Sequence, residues 1–400
     1  MDLGFKKTFQ ENIANWNLYT LVGAAWGDEG KGKIAFSLLE MLSGISVQKE
    51  TFQNVENFRS NPESYLHLHL HLHKTEKLLL CVRFNGGSNA GHTNIIPGVD
   101  CGDGDGAIKT VQIPSGMIVP GVVCMIGPEC LVNYALLKEE IEKLERLGVS
   151  DVRKRLIIAR NAHVVTQEHI QQDIDSERNL QKIGKGIGTT RQGIGPCVAG
   201  KATRSNKRVE DFPEFQEMGI VMDTMEFFRS KEKIRMDIVF EGAQAVELDI
   251  NSGKYPYVTS SVTWPYAIYS TGVYQNVKEQ TVIFVLKAYE TYVGDAKFQP
   301  DGEVFKRIGD VGKEFGTRTK RRRQVNYLDI SRIKNTIKHA TPANGSVVVV
   351  INKYDVLEEV SKEFPGKTFA VIENGQNIYF QTFKEMEEYI VKNVWILWNS

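Results

Sequence analysis

The segment GAAWGDEGKGK, residues 23–33, places an acidic pair inside a loop that otherwise suits phosphate binding. Its glycines let the backbone approach an anion closely, and its lysines supply positive charge. The loop departs from the P-loop pattern G-x-x-x-x-G-K-[ST], because Ala25 replaces the first glycine and Gly32 replaces the hydroxyl residue that would hold magnesium. Asp28 and Glu29 would repel a phosphate, so we expect these carboxylates to have a chemical task of their own.

A second glycine-rich segment, FNGGSNAGHTN at 84–94, carries side chains that suit contact with a polar ligand. Its glycines free the backbone to approach that ligand, and its amide, imidazole and hydroxyl groups can form hydrogen bonds with it. A lone histidine is usually structural, but His92 lies in a glycine loop after an apolar run, a good place for acid–base chemistry. We therefore predict a functional role for His92, with Asn89 and Thr93 as binding groups.

Two further segments combine glycines with polar side chains: GIGTTRQGIGPCVAGKATR at 186–204 and FEGAQAVELDINSGKYPYVTSS at 240–261. The first suits a second anion site, because its glycines surround two threonines and an arginine follows. The second suits contact with a polar ligand, although a hairpin with ordinary polar residues has the same composition. The candidate side chains are Thr189, Thr190, Arg204, Glu241, Gln244 and Thr259.

The segment EFGTRTKRRRQ, residues 314–324, concentrates positive charge in a chain whose formal net charge is zero. A basic run is usually a solvated surface. In a neutral chain we instead predict that the arginines hold an anionic ligand, such as a phosphate or a carboxylate. Six of its residues form a dense cationic and hydroxyl patch: Arg318, Thr319, Lys320, Arg321, Arg322 and Arg323.

The segment INKYD, residues 351–355, matches N-K-x-D, the pattern with which GTP-binding proteins recognise guanine. The carboxylate of Asp355 would accept hydrogen bonds from the base, and the stem of Lys353 would lie along it. Four residues are a weak match. Their position directly after the apolar run SVVVV favours nucleotide binding.

Apolar runs rich in β-branched residues precede much of this chemistry and predict buried strands. They lie at 18–27, 77–87, 237–244, 281–289 and 345–355. Helical periodicity is clearest at 133–148, which Gly148 should end, and at 383–398. We predict an α/β fold, a single large domain with a mostly parallel central β-sheet flanked by helices, similar to P-loop NTPases. Because ligands bind at the carboxyl ends of such strands, we expect each chemical segment to follow an apolar run.

We divide the chain into an N-terminal extension, residues 1–17, and a main domain, residues 18–400, with residues 45–76 as an insertion. The insertion ends in alternating leucine and histidine, from His67 to His73, which would place the histidines on one face of a strand. A metal site is one interpretation. Ligands at i and i+2 on one strand rarely complete a tetrahedral shell, so we favour a solvated edge ribbon.

The composition excludes several classes of protein. Lys plus Arg and Asp plus Glu both number 49, so no global positive field favours nucleic acid. The five cysteines form no C-x-x-C pair, which disfavours a zinc ribbon or a disulfide framework and suits a reducing compartment. The sequence shows no secretory signal and no apolar stretch near the roughly 18 residues of a membrane span. We expect a soluble, cytoplasmic protein without a nucleic-acid or membrane partner.

Together and in this order, the segments resemble adenylosuccinate synthetases, which join IMP to L-aspartate at the expense of GTP. WGDEGKGK matches the signature loop of that family, and NAGHT matches its second specific block. IPSG at 113–116, GTTRQGIGP, FEGAQ, YPYVTSS and KYD match other blocks, so the resemblance covers about residues 18–356. It implies a GTP-binding, Mg²⁺-dependent ligase of purine biosynthesis that forms a C–N bond.

The resemblance also implies a task for the acidic pair. Asp28 would be the general base that takes the N1 proton of IMP, and it would ligate Mg²⁺ together with Gly91. His92 would be the general acid beside the transferring phosphoryl group. The 6-oxygen of IMP would attack the γ-phosphate of GTP to form 6-phosphoryl-IMP, from which the amine of aspartate displaces phosphate.

Further roles follow from the resemblance by position. Contacts to the nucleotide would come from Gly27, Glu29, Gly30, Lys31, Gly32, Thr93, Arg323, Lys353 and Asp355. IMP would be held by Asn89, Thr190, Gln244 and Thr259, and the aspartate carboxylates by Thr319 and Arg321. Arg204 would reach the IMP of a neighbouring subunit, which implies a homodimer.

Several positions depart from the family pattern. The departures are Arg191-Gln192 in place of Gly-Arg, Arg318 and Lys320 in the aspartate loop, Tyr292 in place of Arg, and Glu247 in place of an apolar residue. Only 400 − 355 = 45 residues follow Asp355, fewer than bacterial and eukaryotic members use to complete the guanine pocket. Short forms occur among archaeal members and among phage relatives that condense dGMP with aspartate.

Three alternatives stay open. A phage-type relative would condense dGMP with aspartate using ATP, dATP or GTP, but such enzymes typically lack the catalytic aspartate, so Asp28 favours IMP. A non-catalytic GTP-binding regulatory protein would need the complete phosphate loop that Ala25 and Gly32 interrupt. A catalytically inactive homologue with a binding role is supported only by the changed aspartate loop.

Overall fold

An eight-stranded parallel β-sheet forms the centre of the molecule. The computed structural model describes residues 16–48, 77–96, 99, 106–274, 277–316, 321–341 and 345–395. In order across the sheet, the strands are β14 (Ser346–Asn352), β11 (Val277–Lys287), β1 (Trp16–Gly23), β10 (Arg235–Ala245), β2 (Lys77–Arg83), β5 (Val123–Ile126), β7 (Leu156–Ala159) and β9 (Ile220–Met222). Each neighbouring pair is parallel, which confirms the predicted α/β fold with a mostly parallel central sheet.

Helices and short strands surround this sheet. The helices are α1 (Lys31–Ser43), α2 (Tyr134–Arg146), α3 (Val152–Arg155), α4 (Gln167–Lys182), α5 (Ile194–Thr203), α6 (Thr224–Ser230), α7 (Glu303–Val311), α8 (Ile330–Ala340), α9 (Tyr354–Ser361) and α10 (Phe383–Trp395). A four-stranded sheet has the order β12 (Tyr289–Tyr292), β13 (Gln324–Asp329), β15 (Ala370–Glu373), β16 (Gln376–Tyr379). Two ribbons pair β3 (His92–Ile95) with β4 (Ala107–Thr110) and β6 (Leu131–Val132) with β8 (His163–Val164).

The two faces of the central sheet are covered by two separate hydrophobic clusters. Along β10, Ile238 and Phe240 belong to one cluster, while Val239 between them belongs to the other. Strand β2 alternates in the same way, with Leu80 in the first cluster and Cys81 in the second. Because successive side chains of a strand point to opposite faces, a sheet buried on both faces needs nearly continuous apolar strands.

The predicted elements correspond well to the observed ones. The five apolar runs form β1, β2, β10, β11 and β14, and the two periodic segments form α2 and α10. Gly148 ends α2 as predicted, because its φ of 85° turns the chain and its N–H donates to the carbonyl of Glu145 at 3.0 Å.

The expectation that each chemical segment follows an apolar run is wrong for two of them. Residues 186–193 follow helix α4, and the basic segment follows helix α7. FEGAQ follows the apolar residues of β10 as expected, but it forms the end of that strand rather than a loop beyond it. Strand periodicity in the sequence predicts only the loops that follow strands. It does not predict the loops that follow helices.

A bulge near the end of β10 redirects its last side chains. Leu21 of β1 pairs with Glu241, but Gly23, two residues later, pairs with Ala245, four residues later. Gln244 takes up this difference with a left-handed φ of 57°. Such bulges commonly redirect a side chain next to a functional site.

Three sequence features lie outside the described residues or remain predictions. The leucine–histidine ribbon from His67 to His73 and most of the extension at residues 1–17 fall outside the described part, so the proposed division of the chain remains a prediction.

Among the described residues, no helix is both long and apolar enough to cross a membrane.

Candidate functional site

A cavity of about 600 Å³ opens where β1, β2 and β10 end. Its walls include thirteen residues predicted from the sequence: Gly27, Asp28, Gly30, Lys31, Gly32, Asn89, Gly91, His92, Thr93, Thr190, Gln244, Thr259 and Arg323. Helix α1 starts at this wall, because Gly30 takes a left-handed φ of 95° and the helix begins at Lys31. The free backbone N–H groups of such a first turn are suited to bind an anion.

Glu29 lies beneath this wall and is buried. Its Oε1 accepts the N–H of Gly27 at 2.7 Å, and its Oε2 lies 2.8 Å from Nζ of Lys31. Gly23 leaves the room for it, since a Cβ there would come within 2.3 Å of Oε2. This acid therefore closes the loop and pairs with its lysine instead of facing a phosphate.

Asp28 faces the cavity and stands at the end of a row of alternating charges. Its Oδ2 lies 2.8 Å from Nε of Arg323, whose Nη1 lies 2.5 Å from Oε2 of Glu314. Glu314 also accepts from Lys287 at 2.8 Å and from the hydroxyl of Tyr289 at 2.7 Å. Although burial opposes it, Lys287 and Arg323 hold the pKa of Glu314 at about 2. The row holds two acids and two cations, so its charges balance without a net excess.

Gly32 occupies the place of a P-loop hydroxyl because no side chain fits there. A Cβ on Gly32 would lie 2.5 Å from Cβ of His92 and 2.8 Å from Oγ of Ser115. The first turn of α1 thus packs directly on the histidine of the second glycine loop. The departure from the P-loop pattern is explained by this contact between two segments about sixty positions apart in the sequence.

His92 is buried at the start of β3 beside two cations. Burial is the main cause that lowers the pKa of its imidazole well below the usual range, and the charges of Arg83 and Lys31 lower it further. Nη1 of Arg83 lies 3.3 Å from Nδ1 of the ring. A neutral imidazole in this place can hold a proton on either nitrogen, and its neighbours determine which one.

Three predicted ligand contacts carry buried polar atoms that have no hydrogen-bond partner among the described residues. These are Oδ1 of Asn89, both terminal atoms of the Gln244 amide and Oγ1 of Thr259. Buried polar atoms are almost always hydrogen-bonded, so unsatisfied ones on a cavity wall indicate a polar ligand or ordered water. The bulge in β10 is what brings Gln244 to this wall.

The glycine–threonine loop at 186–193 is held by two carboxylates of α4. Asp173 accepts from Oγ1 of Thr189 at 3.0 Å and from N–H of Gly193 at 2.9 Å. Glu177 accepts from N–H of Gly188 at 2.8 Å. Both acids line the cavity, and the sequence analysis missed them because a polar surface pattern in a helix does not reveal which carboxylates become buried.

A cluster of aromatic and charged side chains supports Trp26 at the cavity wall. Its Nε1 donates to Oε2 of Glu290 at 3.1 Å, and its ring meets the ring of Tyr292 edge-on at 5.6 Å. The guanidinium of Arg332 lies 5.2 Å from the Trp26 ring and pairs with Glu247 at 3.5 Å. Tyr292 and Glu247, two departures from the family pattern, thus both belong to the cluster of side chains around Trp26.

Other predicted residues lie away from the cavity. Lys353 and Asp355 are both exposed, and Lys353 donates to the carbonyl of Gly312 at 3.2 Å. Their neighbour Asn352 does reach the loop at residues 23–33, because it donates to the carbonyl of Glu29 at 2.9 Å. Arg321 donates to the carbonyl of Gly188 at 2.6 Å, and Arg204 is exposed at the end of α5. Arg318, Thr319 and Lys320 lie outside the described residues.

Comparison of the sequence with known proteins gives one consistent result. A sequence model described as adenylosuccinate synthetase matches residues 73–219 and 214–363. Adenylosuccinate synthetases of Phytophthora infestans, Thermosynechococcus vestitus and Desulforapulum autotrophicum are 30%, 32% and 34% identical over 87%, 85% and 84% of this chain. The matches span 61%, 74% and 77% of those relatives' own lengths.

Solved structures agree at the level of the fold. The fully ligated adenylosuccinate synthetase from Plasmodium falciparum superposes with a TM-score of 0.68 at 23% identity, covering 94% of this chain and 95% of that one. The cyanophage S-2L succinoaminodeoxyadenylate synthetase, bound to dGMP and dATP, gives a TM-score of 0.60 at 20% identity, covering 95% and 99%. Both share the architecture of the central sheet and its flanking helices.

Gly32→Ala should destabilise the protein by about 1–3 kcal/mol, because the new methyl group would overlap with Cβ of His92. The matched control is Gly195→Ala, where an added Cβ would come no closer than 3.6 Å, to Ser260 Oγ. The control should be neutral or slightly stabilising. Urea denaturation measures both free energies of unfolding. Equal midpoints for the two variants would contradict the packing argument.

Glu314→Gln should lose about 3–5 kcal/mol at pH 7, because Lys287 and Arg323 would lose a buried partner. The lowered pKa of Glu314 makes its contribution fully present above about pH 4.5, and the contribution declines as the pH falls towards 2. The stability deficit of the variant should therefore shrink between pH 5 and pH 3, measured by urea denaturation.

The control for this prediction is Glu363→Gln, because Glu363 pairs with Arg307 at the exposed surface. Its deficit should stay within about 0.5 kcal/mol at every pH. A Glu314→Gln deficit that remains constant with pH would disprove the assignment of a buried, ionised Glu314.

Proposed function

The chain belongs to the adenylosuccinate synthetase family, and on that basis we propose that it ligates L-aspartate to IMP at the expense of GTP. Such an enzyme is a ligase that forms a C–N bond in purine nucleotide biosynthesis. The observation that carries the proposal is the meeting of Asp28, His92 and the first turn of α1 at one cavity. This arrangement offers a base, an acid and an anion site within one enclosed volume.

In the proposed first step, Asp28 accepts the N1 proton of IMP and makes the 6-oxygen nucleophilic. That oxygen attacks the γ-phosphate of GTP, and the product is 6-phosphoryl-IMP with GDP as leaving group. Arg323 orients Asp28 through their ion pair, and its second partner, Glu314, fixes the guanidinium in turn. The proposed donor of a proton to the phosphoryl group is His92, and its contact with the first turn of α1 supports this role.

In the proposed second step, the amine of L-aspartate attacks C6 and displaces phosphate. Thr319 and Arg321 are the proposed contacts of its carboxylates, and Arg321 lies beside the glycine–threonine loop through its bond to Gly188. The proposed IMP contacts are Asn89, Thr190, Gln244 and Thr259. The unsatisfied polar atoms of three of these residues support this assignment.

For the nucleotide we propose contacts from Gly27, Gly30, Lys31, Gly32, Thr93 and Arg323, with Glu29 as the support of Lys31. Lys353 and Asp355 are proposed to read the base from outside the cavity. The link from Asn352 to the carbonyl of Glu29 supports this, because it joins the N-K-x-D segment to the phosphate loop.

The residues at the cavity fit a Mg²⁺ ion. Magnesium in phosphoryl-transfer sites is usually held by one or two carboxylates together with substrate phosphates, and Asp28 and the Gly91 backbone can supply protein ligands. Among the described residues, no group of three or more acidic, histidine or cysteine side chains could hold a metal by itself. When bound, the ion would neutralise charge on the phosphates.

We further propose that the protein acts as a cytoplasmic homodimer. Arg204 has a left-handed φ of 62° at the end of α5, and its side chain is exposed. An exposed arginine held on a strained turn suits contact with the IMP of a neighbouring subunit.

A second candidate is condensation of dGMP with aspartate, driven by ATP, dATP or GTP. The fold it shares with the cyanophage enzyme, whose structure contains dGMP and dATP, favours this reading. The presence of Asp28 favours IMP. A non-catalytic GTP-binding role is the weaker hypothesis, because it gives no task to the ion pair that orients Asp28.

A substrate matrix separates these candidates. The protein is incubated with L-aspartate and Mg²⁺, crossing IMP or dGMP with GTP or ATP, and the absorbance change and phosphate release are followed. We expect turnover with IMP and GTP. Turnover with dGMP alone would replace the IMP assignment by the second candidate, and no turnover in any combination would reject the ligase proposal.

Asp28→Asn should abolish turnover, with a rate loss of at least about 10²-fold, because an amide cannot take the N1 proton. The fold should survive, since Arg323 keeps its ion pair with Glu314. Steady-state kinetics and circular dichroism measure the two effects. The control is Asp175→Asn, an exposed carboxylate of α4, which should keep the wild-type rate. A near wild-type rate in Asp28→Asn would remove this residue from the mechanism.

A further inference from the structure

Glu241 of β10 lies fully buried below the cavity, in contact with Nδ1 of His92. We propose that Glu241 is the positioning residue of His92: it accepts the Nδ1–H and leaves Nε2 as the only ring nitrogen that can exchange a proton with substrate. The inference rests on the proposed function for its kinetic consequence, but the hydrogen-bond geometry stands independently of any substrate.

The partners of Glu241 are all potential donors. Oε2 accepts the N–H of Ser115 at 2.7 Å, and Oε1 accepts the Ser115 hydroxyl at 2.8 Å. The thiol of Cys81 lies 3.7 Å from Oε2, and Nη1 of Arg83 lies 3.9 Å from Oε1. A carboxylate surrounded by donors and one arginine is stabilised in its ionised form, which can only accept. The close contact with His92 therefore requires a proton on Nδ1.

The surroundings of His92 agree with this assignment. Arg83, 3.3 Å from Nδ1, is a permanent donor, so it competes for that nitrogen, but Glu241 is the nearer of the two. Nε2 has no hydrogen-bond partner within the part of the chain that the structure describes, and the residue lines the cavity. Gly32 lies against Cβ and Cγ of His92, with no room for a side chain between them.

The strand register explains why a carboxylate is present here. Glu241 pairs with Leu21 of β1 and Arg83 of β2, just before the bulge in β10. Its position couples three chemical segments, because Ser115 belongs to IPSG, His92 to NAGHT and Glu241 to FEGAQ. For this step Nε2 first takes up a proton from water, and the Glu241 carboxylate stabilises the resulting imidazolium. Nε2–H then passes that proton to a phosphoryl oxygen, the Nδ1–H stays in place and Glu241 remains ionised, so no proton is transferred to the carboxylate.

The test is Glu241→Gln. The amide can accept from Ser115, but its NH₂ group then faces His92 and favours the tautomer with a bare Nδ1. We expect kcat to fall by about 10- to 100-fold, while KM for the nucleotide substrates stays within about threefold, because His92 acts in the reaction rather than in binding. An unchanged kcat in a folded variant would overturn the proposal.

The matched control is Glu140→Gln. Glu140 is also a buried glutamate, and it accepts the N–H groups of Val111 and Gln112 at 2.5 and 3.0 Å without contacting His92. This variant should lose stability, measured by urea denaturation, but keep kcat within about twofold. An equal fall in kcat in both variants would mean that Glu241 has a structural role only.

A spectroscopic measurement tests the geometry without turnover. The full chain is labelled with ¹⁵N-histidine, and the His92 signals are assigned by comparison with His92→Gln among the eight histidines. We expect a protonated Nδ1 in the wild-type protein and a bare Nδ1 in Glu241→Gln. A bare Nδ1 in the wild type would disprove the positioning role. If the substrate matrix gave no turnover, the ligase proposal would fail and this spectrum alone would decide the role of Glu241.

Discussion

Pairing of carboxylates with cations is the constraint on which the candidate site depends, both for buried Glu29 and Glu314 and for Asp28, which is exposed to the cavity. Glu29 pairs with Lys31, and Asp28 pairs with Arg323, which Glu314 holds from behind. Removing an ion from water costs several kcal/mol, and a buried acid without a partner would be protonated or would destabilise the fold. The acidic pair inside a glycine–lysine loop is possible because each acid has its own cation.

Close packing between distant segments follows from the same arrangement. The first turn of α1 can lie on His92 only because residue 32 is glycine, and the bulge in β10 turns Gln244 toward the cavity. These two features set the position of the first turn of α1 relative to Gln244 on the cavity wall. The cavity wall therefore carries buried amide and hydroxyl atoms that have no hydrogen-bond partner among the described residues. Such atoms indicate a polar ligand or ordered water.

The site also shows how a family pattern tolerates local change. Tyr292 and Glu247 depart from that pattern, yet both contribute to one cluster around Trp26, Glu290 and Arg332. The aromatic ring packs on Trp26, and the carboxylate shares the charge of Arg332 with Glu290. Two departures that look independent in the sequence thus belong to one cluster around Trp26, in the glycine-rich loop at residues 23–33.

The sequence by itself determined the parallel sheet, because a strand buried on both faces must be apolar along its length, as β1, β2 and β10 are. It also predicted that the loops with Asp28 and His92 meet at one cavity, because glycines next to such side chains can be recognised in the sequence alone. Only the tertiary structure decided the roles of Glu241 and Asp173. Glu241 accepts from Ser115, 126 positions away, and Asp173 accepts from Thr189, 16 positions away, because strand register and helix packing bring these residues together. Local sequence carries no record of such contacts.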